Sequence, residues 1–285
     1  MTMTSAIYSL LSRTAAATAL LSLGLGALSL TGSGCGDSLE EGATSGKRVV
    51  LETRVESAED LAVPSVNARG WTISWGRVLV SVSALYYYDG APPSLARSVP
   101  SPAWKRWVGI PVAHAHPGHY QAGNAMGQML TASSFDLAQG TSALSAGEGV
   151  TGTYRSGSVL FGSPAQGIHA ADLGADVILV EGTASQGAET RMFRARASAA
   201  DVTNASGTVG VDGCVFQEAS VQGDGTVVLR VSPSVWMDQV DFTDVPVSSG
   251  TPVDLPAGGP AQQAFTLLGV TRASAYVFSF EPDPG

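Results

Sequence analysis

From residue 48 onward, large apolar side chains recur at alternate positions through much of the chain. Trp71, Ile73 and Trp75 alternate with Thr72 and Ser74, and Val78, Val80 and Val82 then alternate with Leu79, Ser81 and Ser83. A period of two puts each set on one face of an extended strand, because successive side chains of a strand point to opposite sides. The same pattern, punctuated by Gly, Pro, Asn and Ser, predicts strands over 48–55, 71–75, 77–88, 128–135, 152–161, 177–184, 190–197, 214–221, 226–231 and 275–280. VILVEGTA and ETRMFRARA flank Gln186-Gly187, and CVFQEASVQ and GTVVLRV flank Gly223-Asp224-Gly225, spacings that predict two tight antiparallel hairpins. A helical 3.6-residue period is scarce. Only 261–268, after Pro260, and 234–240 have helical starts. About ten strands with one or two short helices predict an all-β domain, an antiparallel sandwich or barrel.

Tyr86, Tyr87 and Tyr88 close the longest run, with Tyr86 and Tyr88 on one face and Tyr87 on the other, as at a half-buried strand end. The Pro-rich stretch 91–102 then reads as a long surface loop. Past Gly46 there is no internal repeat and no further shift in composition, so 47–285 is expected to form a single domain.

The first 46 residues differ from the rest. Residues 15–30, AAATALLSLGLGALSL, are uncharged, follow Arg13 and lead to Thr31, Gly32, Ser33, Gly34 and Cys35, which is the layout of a secretory signal over residues 1–34. The run is shorter than the roughly 20 apolar residues that span a bilayer. A Cys directly after Ser33 and Gly34 resembles the lipobox of bacterial lipoproteins, although Gly32 stands where that family usually has Leu. The resemblance implies that Cys35 becomes the first residue of the mature chain and carries the lipid. It also implies a bacterial cell-envelope location, outer membrane or periplasmic face, with the membrane as a partner through that lipid. Residues 35–46, polar and glycine-rich after the Cys, form a flexible tether that at about 3.5 Å per residue reaches roughly 40 Å.

Composition narrows the classes of function. The chain of 285 residues is 44% hydrophobic and 14% charged, with 34 Gly and 15 Pro, which excludes disorder, collagen and coiled coil. Its net charge is −9 and its lysines are Lys47 and Lys105 alone, so nucleic acid is excluded as a partner. Losing residues 1–34 removes Arg13 and no acid, and the body becomes still more acidic. With Cys35 acylated, Cys214 has no partner for a disulfide. It reads as a small buried hydrophobe on the same strand face as Phe216, with a thiolate metal ligand as the alternative.

The candidate chemistry is a run of histidines. Of the four in the chain, His114, His116 and His119 fall within six residues in PVAHAHPGHY, and His169 follows later. His114 and His116 share a side of an extended segment. Pro117 biases His116 toward the β region, and Pro117-Gly118 suits the centre of a type II turn that brings His116 and His119 within about 7 Å. Neutral imidazole is the commonest transition-metal ligand, so the three rings form a candidate metal site. His169 is the natural long-range fourth ligand, with Asp172 or Tyr120 as oxygen alternatives. Three imidazoles suit copper or zinc. Met126 and Met129 offer either a thioether to Cu(I) or core packing. Trp104 and Trp107 either roof the site or pack, and Asp238, Asp241 and Asp244 lack EF-hand spacing.

The histidine spacing matches that of the HxHxDH hydrolases, but Gly118 stands in place of their Asp, and the cupin pattern has no Glu where Gln121 sits. The GxSxG elbow, the P-loop and HExxH are absent from the sequence. An exported, Trp-containing chain with clustered histidines and segments such as VSVSALYYYDG, VILVEGTA and GTVVLRVSPSVWMDQVDF is similar to the copper-handling periplasmic proteins of methanobactin systems. It lacks the four-cysteine pattern common there. That resemblance implies an immunoglobulin-like sandwich and copper binding, not an enzyme. The expected function is therefore a lipid-anchored envelope protein that binds a transition metal, copper ahead of zinc, through His114, His116, His119 and His169. The alternative is a structural or adhesive surface lipoprotein that binds protein or glycan and has no metal role. A zinc hydrolase ranks third, since no acid accompanies the histidine run.

Overall fold

The structure is a computed structural model that describes residues 46–92, 122–248 and 250–284. The expected all-β class is observed, with thirteen strands and a few short helical segments among the described residues. β1 (Arg48–Ser57), β3 (Thr72–Tyr88), β4 (Ala125–Met129), β6 (Ser142–Val150), β7 (Gly152–Phe161), β10 (Gly210–Val221), β11 (Gly225–Val231) and β13 (Tyr276–Pro282) pair in the circular order β3-β4-β6-β1-β11-β13-β10-β7. The ring closes because the second half of β3 pairs with β4 on one side and with β7 on the other, Tyr87 lying opposite both Gly127 and Gly157. An eight-strand ring is just wide enough for side chains to fill its interior. Here Tyr87, Tyr154, Phe216 and Phe278 do so, with ring centroids 5.4–6.2 Å apart.

The first half of β3 leaves the ring and carries a second group of strands. It pairs with β2 (Ser65–Val66), β5 (Ser133–Asp136) and β8 (Asp176–Gln186), and β9 (Glu189–Ser198) and β12 (Val253–Asp254) follow outward. β3 can belong to both parts because its inward face changes parity twice. Trp71 and Ile73 face the core, then Val78, Val80 and Val82, then Leu85 and Tyr87, all essentially buried. The pairing registers shift between Trp75 and Arg77 and between Val82 and Ala84, as a bulge that inserts one residue requires.

Two expectations are corrected. The sheet is mixed rather than antiparallel throughout: β1–β11, β10–β13 and β12–β9 run parallel. The tight hairpin expected at Gly223-Asp224-Gly225 is not formed, because β13 inserts between β10 and β11, parallel to one and antiparallel to the other. The β8–β9 hairpin does form, pairing Gln186 with Glu189 around Gly187 in the left-handed region.

The helical segments gather at one end. α2 (Pro233–Met237) and α3 (Pro260–Phe265), each with Pro in its first turn, lie in the two stretches where helix was expected, and α3 runs on into a π-helical turn, Thr266–Val270. α1 (Ala170–Leu173) instead covers a small apolar cluster of Leu79, Leu173 and Leu179 on the outer face of β3 and β8. Among the described residues no helix is long and apolar enough to cross a membrane.

Candidate functional site

The segment that bears His114, His116 and His119 connects β3 to β4, and these three residues lie outside the described residues, as do Trp104, Trp107, Tyr120 and Cys35. Its two ends are described, and they are fastened together. Asp89 N donates to the Asn124 carbonyl at 3.2 Å and Gly90 N to that of Ala122 at 3.0 Å. Asp89 Oδ1 accepts from Asn124 N at 2.7 Å, and Oδ2 accepts from Asn124 Nδ2 at 2.9 Å. Gly123 makes the close approach possible. Its φ is +77°, and a Cβ there would overlap the Asp89 carboxylate. The sequence carried a signal for this stem that the strand pattern alone misses: Asp89-Gly90 and Gly123-Asn124, turn-forming residues on both sides of one long connection.

The stem stands at the same end of the ring as the start of the domain. Lys47 N donates to Thr151 Oγ1 at 3.0 Å and Thr151 N to the Lys47 carbonyl at 2.8 Å, tying β1 to the β6–β7 turn. Tyr88 pairs with Ser156, four residues along β7 from Gly152, and Ser156 Oγ donates to the Gly90 carbonyl at 2.6 Å. Between them, Tyr154 OH donates to the carbonyls of Met126 (2.8 Å) and Val150 (2.9 Å). Burial raises this hydroxyl's pKa to about 12. A cleft of about 320 Å³ lined by Arg48, Met126, Gln128 and Glu148 opens beside the stem, and its floor is Gly127 and Gly149.

His169 stands elsewhere. It precedes α1 on the outer face of β3, where its backbone N donates to Ser134 Oγ at 3.0 Å, and Ser134 pairs with Ser81. From Ser81 to Tyr88 the strand advances about 23 Å at ~3.3 Å per residue. The His169 ring lies beside one end of a line of charged side chains. Nδ1 is 4.0 Å from Asp172 Oδ2, which Arg77 grips at 2.7 Å. From Arg77 the line crosses the sheet in register through Glu181 and Arg194 to Asp254, with Arg194 Nε 2.6 Å from Glu181 Oε1. Arg196 closes the far end on Asp176 and Asp254. Burial opposes its charge, but the hydrogen bonds and charges of these two carboxylates outweigh it and raise the guanidinium's pKa.

The remaining candidates are structural. Met129 is fully buried and Met126 nearly so, as core packing requires. Cys214 is buried with its Sγ 3.5 Å from the Val211 carbonyl, and burial, then the Asp212 charge, push the thiol's pKa up, away from the thiolate a metal needs. Asp241 Oδ1 accepts from Thr243 N (3.0 Å), Thr243 Oγ1 (2.6 Å) and Trp71 Nε1 (3.2 Å), and so ties its loop to the start of β3. Among the described residues no group of three or more His, Cys, Asp or Glu side chains is arranged to hold a metal. No protein-family model matches the chain, and neither a curated protein nor a solved structure matches it.

Proposed function

We propose that the protein is an exported bacterial cell-envelope lipoprotein that binds a transition metal, copper ahead of zinc, through His114, His116 and His119. The observation that carries this reading is the placement of three of the chain's four histidines within six residues around Pro117-Gly118, a sequence whose backbone preferences gather the rings. The clamped stem supports it, since it holds the two ends of the histidine-bearing segment together. A lipid on Cys35 would attach the chain to the membrane through a tether whose reach is about 40 Å. In this reading opposite walls of the ring serve as the layers of a flattened, immunoglobulin-like sandwich. His169 is the fourth ligand if the histidine segment folds back along the outer face of β3.

Elemental analysis of the mature chain, with Cys35 replaced and no histidine tag, tests the reading after loading with copper and zinc and a mild chelator wash. About one equivalent of metal, lost in the His114, His116, His119 triple Ala variant, is the expected result. A His169→Ala variant that keeps the metal removes that residue from the site. No retained metal sinks the reading. Mass spectrometry of the full chain from membranes tests the anchor separately: an unmodified Cys35 overturns it.

A further inference from the structure

At the end of the ring away from the tether, a second cleft is built on a rigid clamp. Asn67, in the β2–β3 turn, donates through Nδ2 to the carbonyls of Met237 (3.0 Å) and Val240 (2.8 Å), and its Oδ1 accepts from Arg69 N and Trp71 N, both at 3.0 Å. Gln186 Nε2 fixes the Arg69 carbonyl at 2.9 Å. The backbones of Arg69 and Asp241 are thereby held on one locked piece of structure. Arg69 and Asp241 line the same cleft, and among the described residues no ion pair joins them, although the guanidinium's charge is the least of the causes that lower the pKa of the Asp241 carboxyl. Asp241 Oδ1 is occupied by three donors, whereas Oδ2 has none among the described residues.

The facing wall is apolar. Leu267 and Leu268 are adjacent in sequence and 61% and 51% exposed, so together they present apolar surface to solvent. The π-helical turn Thr266–Val270 sets them outward, docked through Gly269, where a Cβ would collide with the Trp236 backbone. Such single π turns are frequent at functional sites. Between the two walls lies about 430 Å³. Gln239 and Gln263 at its rim spend their Nε2 groups on Asp238 Oδ2 and the Gly258 carbonyl, which leaves their carbonyl oxygens as acceptors.

We propose that this cleft binds a free α-amino acid with an apolar side chain, its carboxylate on Arg69, its ammonium on Asp241 and its side chain on Leu267 and Leu268. The ligand would supply each unpaired charge with its opposite and cover the exposed leucines. The site is independent of the metal reading.

Calorimetric titration of the full mature chain in detergent tests it with L-leucine as the probe. 4-Methylpentanoate, which lacks the ammonium, and 3-methylbutylamine, which lacks the carboxylate, serve as controls. Saturable binding of L-leucine near about 1 mM or tighter is expected, with each one-pole control at least roughly tenfold weaker. Arg69→Gln, at an exposed side chain, is expected to weaken binding about tenfold, and glycine to bind more weakly than leucine. A Leu267→Ser, Leu268→Ser double variant keeps the charged pair and is expected to lose the preference for leucine over glycine. No binding of L-leucine, equal binding of either one-pole control, or unchanged binding by Arg69→Gln overturns the proposal.

Discussion

Asn67 Nδ2 reaches across 170 positions of sequence to the Met237 carbonyl at 3.0 Å, and with three further hydrogen bonds one buried amide fastens the β2–β3 turn to the loop after α2. Removing it takes a partner from two carbonyls and two N–H groups, of which the Met237 carbonyl alone keeps another, the Val240 N–H. Asn67→Ala is therefore expected to cost about 4 kcal/mol, at roughly 1 kcal/mol for each of the four hydrogen bonds. Denaturant unfolding at unchanged m-value measures it. A loss below about 1 kcal/mol would mean that water replaces the clamp.

Inside the ring, Gly157 of β7 lies against Phe278 of β13: a Cβ at 157 would stand 2.6 Å from Cε2 of that ring. Gly157→Ala should destabilise by about 1–3 kcal/mol through overpacking. Phe278→Leu in the same chain should return part of that loss, because a smaller side chain gives the methyl room. A double-mutant cycle reads the coupling, and strict additivity would show that the two do not compete for the space.

The buried tyrosines fix the alkaline limit. Burial raises the hydroxyls of Tyr87 and Tyr276 far above the ordinary range, and that of Tyr154 to about 12. In the unfolded chain they ionise near about 10. A folded pKa above the unfolded one gives stability that is complete below about pH 10 and lost as pH rises toward the folded values. Phenolate absorbance is expected to show a late phase coincident with loss of the far-ultraviolet strand signal. A smooth titration of every tyrosine in the folded state would contradict this packing.

Asp241 sets an opposite dependence at acid pH. The donors from Thr243, helped by Trp71, lower the pKa of its carboxyl despite partial burial. A depressed folded pKa gives stability that is present above the unfolded value of about 3.9 and lost as pH falls through the folded one. Asp241→Asn should accordingly differ from the parent in melting temperature at pH 7 and converge on it as pH falls from about 4 through the lower folded pKa. A difference that persists to pH 2 would rule out the charge as its cause.

Cys214 should resist thiol reagents in the native protein, since it is fully buried and its thiol's pKa is raised. Its labelling rate is expected to rise with denaturant in step with unfolding. Fast labelling without denaturant would place the thiol at the surface.

What could be read beforehand follows the reach of each signal. Two-residue alternation marked β1, β7, β8, β9, β11 and β13 because one face of each is packed, as with Val49, Leu51 and Val55. The reversal of inward parity along β3 was legible as two successive runs, Trp71–Ile73–Trp75 and Val78–Val80–Val82, but not as one bent strand. β6, SALSAGEGV, gave no such signal. Gly149 admits the Tyr154 hydroxyl and Leu51, and Gly147 lies against the Gln128 backbone, so space rather than side chain is what the sequence encodes there. The parallel pairing of β10 with β13 joins residues some sixty apart, beyond any local pattern, and so the nearer Gly223-Asp224-Gly225 turn was misread as a hairpin. At the site, the histidine run was visible from spacing, whereas the stem needed Asp89 and Asn124 to be seen as partners.

β1 also has a mechanical role. β1 begins two residues into the described structure, and seven of its residues pair with β11 on one side and seven with β6 on the other. Tension applied at the N-terminal end of β1 would therefore run along the strand axis, across these hydrogen bonds, and load both ladders in shear. They must fail together rather than unzip one at a time. A load between the start of β1 and the leucine-lined cleft would be borne by β1 as a tie rod, through its two ladders, before it reached the aromatic interior of the ring.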